Sequence, residues 1–433
     1  MKWIVSLFFI LFVVFFSAAN AVALDLATGG DDDDDGEEII PDDFFSSMNP
    51  DAVVKPEYVS IWKSRETSFS SKEDPLFVEN DPSVGYRCSS ILMSELIGAD
   101  PEQTPAQIVG WAPRFDNGKL GVASTNMKPY IHHMDLFACS GKPVDYTETF
   151  ECGDPFAVPE CGPFISVYDK GAGDYALPEN VGISIGKGTG YTWALLQIHY
   201  LATASPHDLR TITPGESGFK LWIQSGRVQR EHNARFMAMM DTKMKVPPSV
   251  RKTEYTVDRR TINSFIADDL KEFGSLTIFG GHLHAHDLCT RFELKVRNGS
   301  RGPFTTFAEI SHYGGYGKNQ TTKTFATDKD LDVSQTVELT GNQEVSIGCE
   351  WKRHSTTVVY GTGLGEEMCG PVLMYYPTLI SSTVNQNSAA FFGKGVETNG
   401  ASVRMKRMVQ EQLRRARERG RRPSKPLKPL SDV

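Results

Sequence analysis

Ser275-Leu276-Thr277-Ile278-Phe279-Gly280-Gly281-His282-Leu283-His284-Ala285-His286 is the stretch from which the rest of the chain is best read. Histidines fall at alternate positions, between apolar Ile278-Phe279 on one side and Phe292, Leu294 and Val296 on the other. On an extended strand, residues two apart project to the same face, so His282 and His284 can aim their imidazoles at one point. That point is most economically a metal ion.

Outward from this stretch, short apolar runs recur between clusters of Gly, Pro, Asn and Asp. Examples are Ser90-Ile91-Leu92-Met93, Tyr191 to Leu201, Gly218 to Ile223, Thr357 to Tyr360 and Val372 to Tyr376. Most are strand-length and rich in β-branched or aromatic residues, and turn residues follow several of them, a pattern that predicts an all-β protein built of sandwiches. A chain of 433 residues can hold two or more domains, each with its own core. The break at Ile212-Thr213-Pro214-Gly215-Glu216-Ser217-Gly218 places the expected boundary between residues 55–213 and 214–395. No internal repeat of fixed period is present.

The ends read differently. Met1 to Ala23 has Lys2, an apolar run from Ile4 to Phe16, and small residues suited to cleavage after Ala21 or Ala23, so residues 1–23 are expected to be a secretory signal peptide. The expected destination is the secretory pathway, with a secreted or lumenal protein, since no later stretch reaches the roughly 18 apolar residues needed to span a bilayer. Residues 24–54 contain a carboxylate run from Asp31 to Glu38 and read as a solvated, disordered linker, with calcium or partner binding as the alternative. Residues 396–433 are basic, with Arg414-Arg415-Ala416-Arg417 and Arg421-Arg422 ahead of three prolines. They read as a short charged helix and an extended tail, whose alternative role is contact with an acidic membrane or glycan surface.

A net charge of −9 argues against a general nucleic-acid binder, and 40% hydrophobic with 23% charged residues is ordinary for a soluble globular protein. In an oxidising compartment the seven cysteines are expected to be bridged, with at least one left over. Asn298-Gly299-Ser300 and Asn319-Gln320-Thr321 are glycosylation sequons in that context.

Three further pieces join the histidine strand: His132-His133, His199 in Leu196-Gln197-Ile198-His199-Tyr200, and Met368 in Glu366-Glu367-Met368-Cys369. Imidazoles with one thioether form a mixed, soft set that suits copper passing between its two oxidation states. Each piece alone has a plainer reading. His282 and His284 can be a polar strand face, His199 a hydrogen-bonded core residue, and Met368 core filling. Neighbours on a strand point to opposite faces, so His132 and His133 need a bulge, a turn or different ring nitrogens to meet one ion. His207, His232, His286, His312 and His354 read as structural or exposed.

Taken together, His132-His133-Met134-Asp135-Leu136-Phe137-Ala138-Cys139, Leu196 to Tyr200, His282-Leu283-His284 and Glu367-Met368-Cys369 followed by Met374-Tyr375-Tyr376 resemble the copper type II, ascorbate-dependent monooxygenases. Peptidylglycine α-hydroxylating monooxygenase and dopamine β-hydroxylase are members of that family, and the resemblance runs over about residues 55 to 390. It implies two antiparallel, jelly-roll-like β-sandwich domains facing each other across a water-filled cleft, with one copper in each. By resemblance, His132, His133 and His199 hold the electron-transfer copper, with Tyr86 and Gln197 beside it. His282, His284 and Met368 hold the copper where dioxygen binds. The implied bridges are Cys88–Cys152, Cys139–Cys161 and Cys349–Cys369, with Cys289 the odd thiol. Glu216 and Ser381-Ser382-Thr383 stand where two further family bridges are expected.

The implied function is a secreted, stand-alone copper monooxygenase core that hydroxylates a C–H bond of a small organic or peptide-like substrate, using O2 and two electrons from ascorbate. A secreted copper-binding or storage protein without turnover is the alternative. One departure bears on substrate. Peptide-hydroxylating members carry an arginine two residues before the His-x-His pair, with an asparagine and a tyrosine just after Met-Cys; here these positions are Gly280, Gly370 and Val372. A glycine cannot replace a guanidinium that grips a carboxylate in two places, which argues against glycine-extended peptides. Met237, Met239, Met240 and Met374 either line an apolar pocket or fill the core.

Overall fold

The computed structural model describes residues 58–63, 84–141, 160–201, 212–213, 217–314, 322–361, 366–380 and 389–392, apart from positions 116, 121–122, 127, 228, 326–327 and 329–330. The expected signal peptide, acidic linker and basic tail lie outside the described residues. So do Cys152, His207, Glu216, Asn319 and Ser381 to Thr383. No helix among the described residues is long and apolar enough to cross a membrane.

The protein is all-β, as expected. Twelve strands carry the argument: β1 (Tyr58–Lys63), β2 (Val84–Leu92), β3 (Ala106–Arg114), β4 (Ile131–Cys139), β5 (Cys161–Asp169), β6 (Trp193–Leu201), β7 (Gly218–Ser225), β8 (Arg235–Asp241), β9 (Leu276–Ala285), β10 (Cys289–Asn298), β11 (Gln343–Trp351) and β12 (Cys369–Tyr376). Two helices accompany them, α1 (Met93–Ile97) and α2 (Arg259–Phe273).

A first hydrophobic core lies among the strands of two sheets. One sheet has β1, β7 and β3 in order, continued by Val181–Ser184 and His232–Asn233; the other has the order β2-β6-β4-β5. In β6 the whole run Ala194 to His199 is buried, on both faces, which explains its near-continuous apolar sequence. A second core lies between the sheet that orders β9, β12 and β8 and the sheet that orders Lys252–Val257, β11 and β10. The helix α2 begins at Asp258, whose carboxylate accepts from the Thr261 N–H at 2.9 Å. Its Asp269 then reaches Tyr375 of β12 and the Leu379 N–H.

Pairing of the first core extends past the boundary expected at residues 213/214. The strand β7 pairs antiparallel with both β1 and β3, and His232–Asn233 pairs with Val181–Gly182. The strand that follows the expected break completes the same sheet, so this region runs past residue 213.

The sheet of β8, β12 and β9 stands between the two cores. Its register aligns Phe236 with Met374 and Gly280, and Ala238 with Val372 and His282. Phe236, Ala238, Phe279 and Met374 pack into the first core, whereas Met237, Met239, Leu283 and Leu373 pack into the second. Alternation therefore turns His282 and His284 toward the first core. It also resolves the methionines: Met237, Met239 and Met374 are core filling.

Cys139–Cys161 joins β4 to β5, and Cys349–Cys369 joins β11 to β12. Cys88 is disulfide-bonded, its expected partner lying outside the described residues. Cys289 is a free, buried thiol.

Candidate metal centre

The first set of donors is built by one sheet. His199 on β6 pairs with Tyr86 on β2 and with His133 on β4, and His133 pairs in turn with Asp169 on β5. His199, His133 and Asp169 form a row across the sheet, on one face, and Tyr86 continues the backbone pairing. His132 joins the row through a bulge. Tyr200 pairs with Ile131 while His199 pairs with His133, so His132 is the extra residue and is not bound by alternation. Its ring centroid lies 5.2 Å from that of His133 and 5.0 Å from that of His199, and His133 and His199 are 4.7 Å apart. One donor atom from each of the three lies within 4.8 Å of the others.

The second set is built between sheets. His282 and His284 stand on the face of β9 that looks to the first core, their rings 5.8 Å apart. Asp169, rooted in the first core, reaches them: its carboxylate contacts His282 Nε2 and lies 3.3 Å from His284 Nδ1. Donor atoms of these three residues also lie within 4.8 Å of one another. Met368 precedes Cys369, which pairs with Ala285, so alternation gives it the face of Gly370 and His284; it is buried. Met240 lies beside Gly370 on the same face, its sulfur 2.5 Å from the point where a Cβ at Gly370 would stand.

The two sets touch. Ring centroids of His132 and His284 are 5.6 Å apart, and those of His133 and His284 are 6.1 Å apart. The water-filled cleft implied by resemblance does not separate them here, because Asp169 bridges from one sheet to the other. His286, read from sequence as structural or exposed, is instead buried in the cluster. Its ring lies 5.3 Å from both His132 and His284. It is held by its Nδ1, 3.0 Å from the Glu366 carbonyl, and by its backbone N–H, which donates to Glu367. Glu367 also accepts from the Leu288 N–H, which ties the segment ahead of Met368 to the turn after His284.

Burial sets the electrostatics. It pushes His132 and His199 well below the ordinary imidazole value, helped by the neighbouring histidines. Burial likewise lowers His133 to about 4 against the opposing pull of Asp169, and lowers His286 to about 3. These rings are therefore neutral at physiological pH, the state in which imidazole binds a metal. Asp169 remains ionised: burial would raise it, but His282 and His284 hold it well below the usual carboxylate range. Asp135, paired with Gln197 and Val167 in register, is pushed well above that range by burial and then by Asp169. The His282 Nδ1 atom is buried with no hydrogen-bond partner among the described residues. A neutral imidazole trio and an ionised carboxylate with two further imidazoles are donor sets that fit copper.

Of the residues read from sequence, His132, His133 and His199 converge, as do His282 and His284. Gln197 is buried on the His199 face of β6; Tyr86 pairs with His199 through the backbone, and its side chain lies outside the described residues. Asn298 is exposed, and its side-chain oxygen accepts from Gln343. At Gly280 a Cβ would meet the Lys323 carbonyl at 2.6 Å, Met374 at 3.0 Å and the Tyr175 hydroxyl at 3.3 Å, so that position has no room for an arginine.

Asp169 escaped the sequence reading for a specific reason. Counting from the Cys139–Cys161 pair, His133 lies six residues back (139 − 133) and would face Val167 six residues on (161 + 6). Two register shifts in β4 and β5 move the partner to Asp169 instead. The polar end of β5, Tyr168-Asp169-Lys170, was the available signal.

Comparison with known proteins bears on the same segment. A protein of Parabacteroides distasonis ATCC 8503 solved at 2.00 Å aligns with 75% of this chain and 91% of its own, at 7% identity and a TM-score of 0.17, too low to carry an argument. The sequence model of the N-terminal domain of the copper type II ascorbate-dependent monooxygenases matches residues 118–205, which hold His132, His133, Asp169, Gln197 and His199. The segment that builds the imidazole trio is thus the part of the chain that is similar to the copper type II ascorbate-dependent monooxygenases.

Proposed function

We propose that this chain is a secreted, copper-dependent monooxygenase that hydroxylates a C–H bond of a small organic or peptide-like substrate, with O2 and two electrons from ascorbate. The observation that carries the reading is the bulge that brings His132 beside His133 and His199, within the very segment that matches the family. His132, His133 and His199 would hold one copper, and His282, His284 and Met368 a second. Bound copper would supply one-electron transfer at the first set and dioxygen activation at the second.

The chain's own residues set the conditions for that chemistry. Burial of His132, His199, His282 and His284 keeps solvent from the donors. The bulge at His132 and the paired strands β4 and β6 fix the trio, and the Cys349–Cys369 bridge fixes the strand that follows Met368. Where peptide-hydroxylating relatives place a carboxylate-gripping arginine, Gly280 is packed against Tyr175 and Met374. A substrate without a terminal carboxylate suits this surface better than a glycine-extended peptide.

A second reading has an observation of its own. The ring contact between the two sets, with Asp169 spanning them, suits a secreted copper-binding or storage protein that does not turn over. Copper content with X-ray absorption of the oxidised and reduced forms separates neither reading alone, but ascorbate-driven oxygen uptake does. The oxygenase reading expects about two coppers per chain, a sulfur scatterer on reduced copper that disappears in Met368→Ala, and oxygen uptake with a C–H substrate. Copper without uptake across a substrate screen leaves the storage reading, and no stoichiometric copper ends both.

A further inference from the structure

We propose that Asp169 is a ligand of the second ion in its divalent state, completing a two-histidine, one-carboxylate site with His282 and His284. The inference rests on the copper reading above and adds a donor drawn from another sheet.

The geometry separates Asp169 from the trio beside which its backbone stands. In register it faces His133, yet its Oδ1 comes only to 4.0 Å from the His133 Nδ1. It lies 3.3 Å from His284 Nδ1 and closer still to His282 Nε2. Its two oxygens are divided between the two histidines, Oδ2 toward His282 and Oδ1 toward His284. Histidines are also its only ion-pair partners among the described residues; no lysine or arginine there pairs with it. A carboxylate at 6% exposure needs a cation, and leaving it uncompensated costs several kcal/mol. A divalent ion shared with His282 and His284 supplies that charge.

Donor chemistry sets the oxidation state. Two imidazole nitrogens and one carboxylate oxygen make a harder set than two imidazoles and a thioether, and favour copper(II) where sulfur favours copper(I). Asp169 and Met368 then serve different states of one ion, Asp169 from the first core and Met368 from the strand next to the histidines. Because the carboxylate and the histidines are rooted in different sheets, an ion held by all three also ties those sheets together. Loading should therefore raise the melting temperature through Asp169.

The test is copper(II) titration of the full chain without reductant, read by metal content, electron paramagnetic resonance and thermal melting, for wild type, Asp169→Asn, Asp169→Glu and Met368→Leu. Asparagine keeps the shape and can still orient an imidazole, but it lacks the charge that holds the ion; glutamate keeps the carboxylate. The expected result is about two copper(II) per chain in wild type, Asp169→Glu and Met368→Leu and about one in Asp169→Asn, with the copper-induced rise in melting temperature reduced in that variant. Retention of both ions by Asp169→Asn with a wild-type resonance spectrum overturns the proposal, since Asp169 then acts by orienting a histidine. In that outcome the copper reading survives, whereas a wild type that binds no copper ends both.

Discussion

His132, His133 and His199 stand on two adjacent strands of one sheet, whereas His282, His284 and Asp169 are drawn from two different sheets. The first arrangement needs a single irregularity, a bulge, and is as firm as the ladder that contains it. The second exists only while the sheet of β5 meets the sheet of β9, and β9 turns its histidine face to the first core and its other face to the second. The contrast teaches that an all-imidazole trio can be made by strand geometry alone, while a mixed set takes its odd donor from elsewhere in the fold. Local unfolding between the cores should accordingly loosen the second set before the first.

The largest expected break in this comparison comes from His199→Ala. It removes the donor that faces His133 across the ladder, so copper at the first set is lost, the second set keeps its ion, and ascorbate-driven oxygen uptake falls by more than about 100-fold. Metal content beside an oxygen electrode gives the answer; loss of both ions would mean the sets are not separable.

Replacing Cys349 and Cys369 together by serine attacks the other side. The bridge spans 20 residues and holds β12 to β11, so its loss should cost about 2–4 kcal/mol in denaturant unfolding. Copper affinity should fall at the second set and stay unchanged at the first. Equal loss at both would place the effect in global stability instead.

A smaller effect is expected at Gly370. An added Cβ there would run into the Met239 carbonyl and the Met240 thioether, so Gly370→Ala should destabilise by about 1–3 kcal/mol through overpacking. It should also move Met240 within the row that includes His284, which a change in the resonance spectrum of the second copper would register, with the first unaltered.

The smallest expected change comes from a charged cluster remote from both sets. Burial would raise the Glu293 carboxyl, but Lys252 at 2.9 Å and Lys295 at 3.0 Å hold it below its ordinary value of 4.5. A lowered carboxylate adds stability above its unfolded-state value, and that addition is lost as pH falls through the folded one. Wild type and Glu293→Gln should thus differ by no more than about 1 kcal/mol at neutral pH and converge in acid, as followed by thermal melting across pH. Copper binding at either set should not notice the change.

The strand-length apolar runs made the all-β class legible in one dimension, and alternation put His282 and His284 on one face; His132, His133 and His199 were gathered as candidate donors by resemblance. That legibility has a plain cause, since side-chain direction on a strand repeats every two residues and needs no knowledge of partners. The same rule left a bulge, a turn or different ring nitrogens open at His132-His133, because a bulge is a relation between two strands; the skipped pairing opposite His199 supplied it. Met368 was found by resemblance, and it is buried immediately ahead of the strand that pairs with β9.

What belonged to tertiary structure alone was everything that depends on docking. Asp169 needed two register shifts and the approach of a second core before its carboxylate had any business near His282. His286 became part of the cluster through the turn held by Glu367, and the extent of the first sheet through β7. Sequence determined which faces were apolar and which residues could donate to a metal; the packing of one sheet between two cores decided which donors meet, because a charge drawn from a distant strand leaves no periodic trace in the chain that carries it.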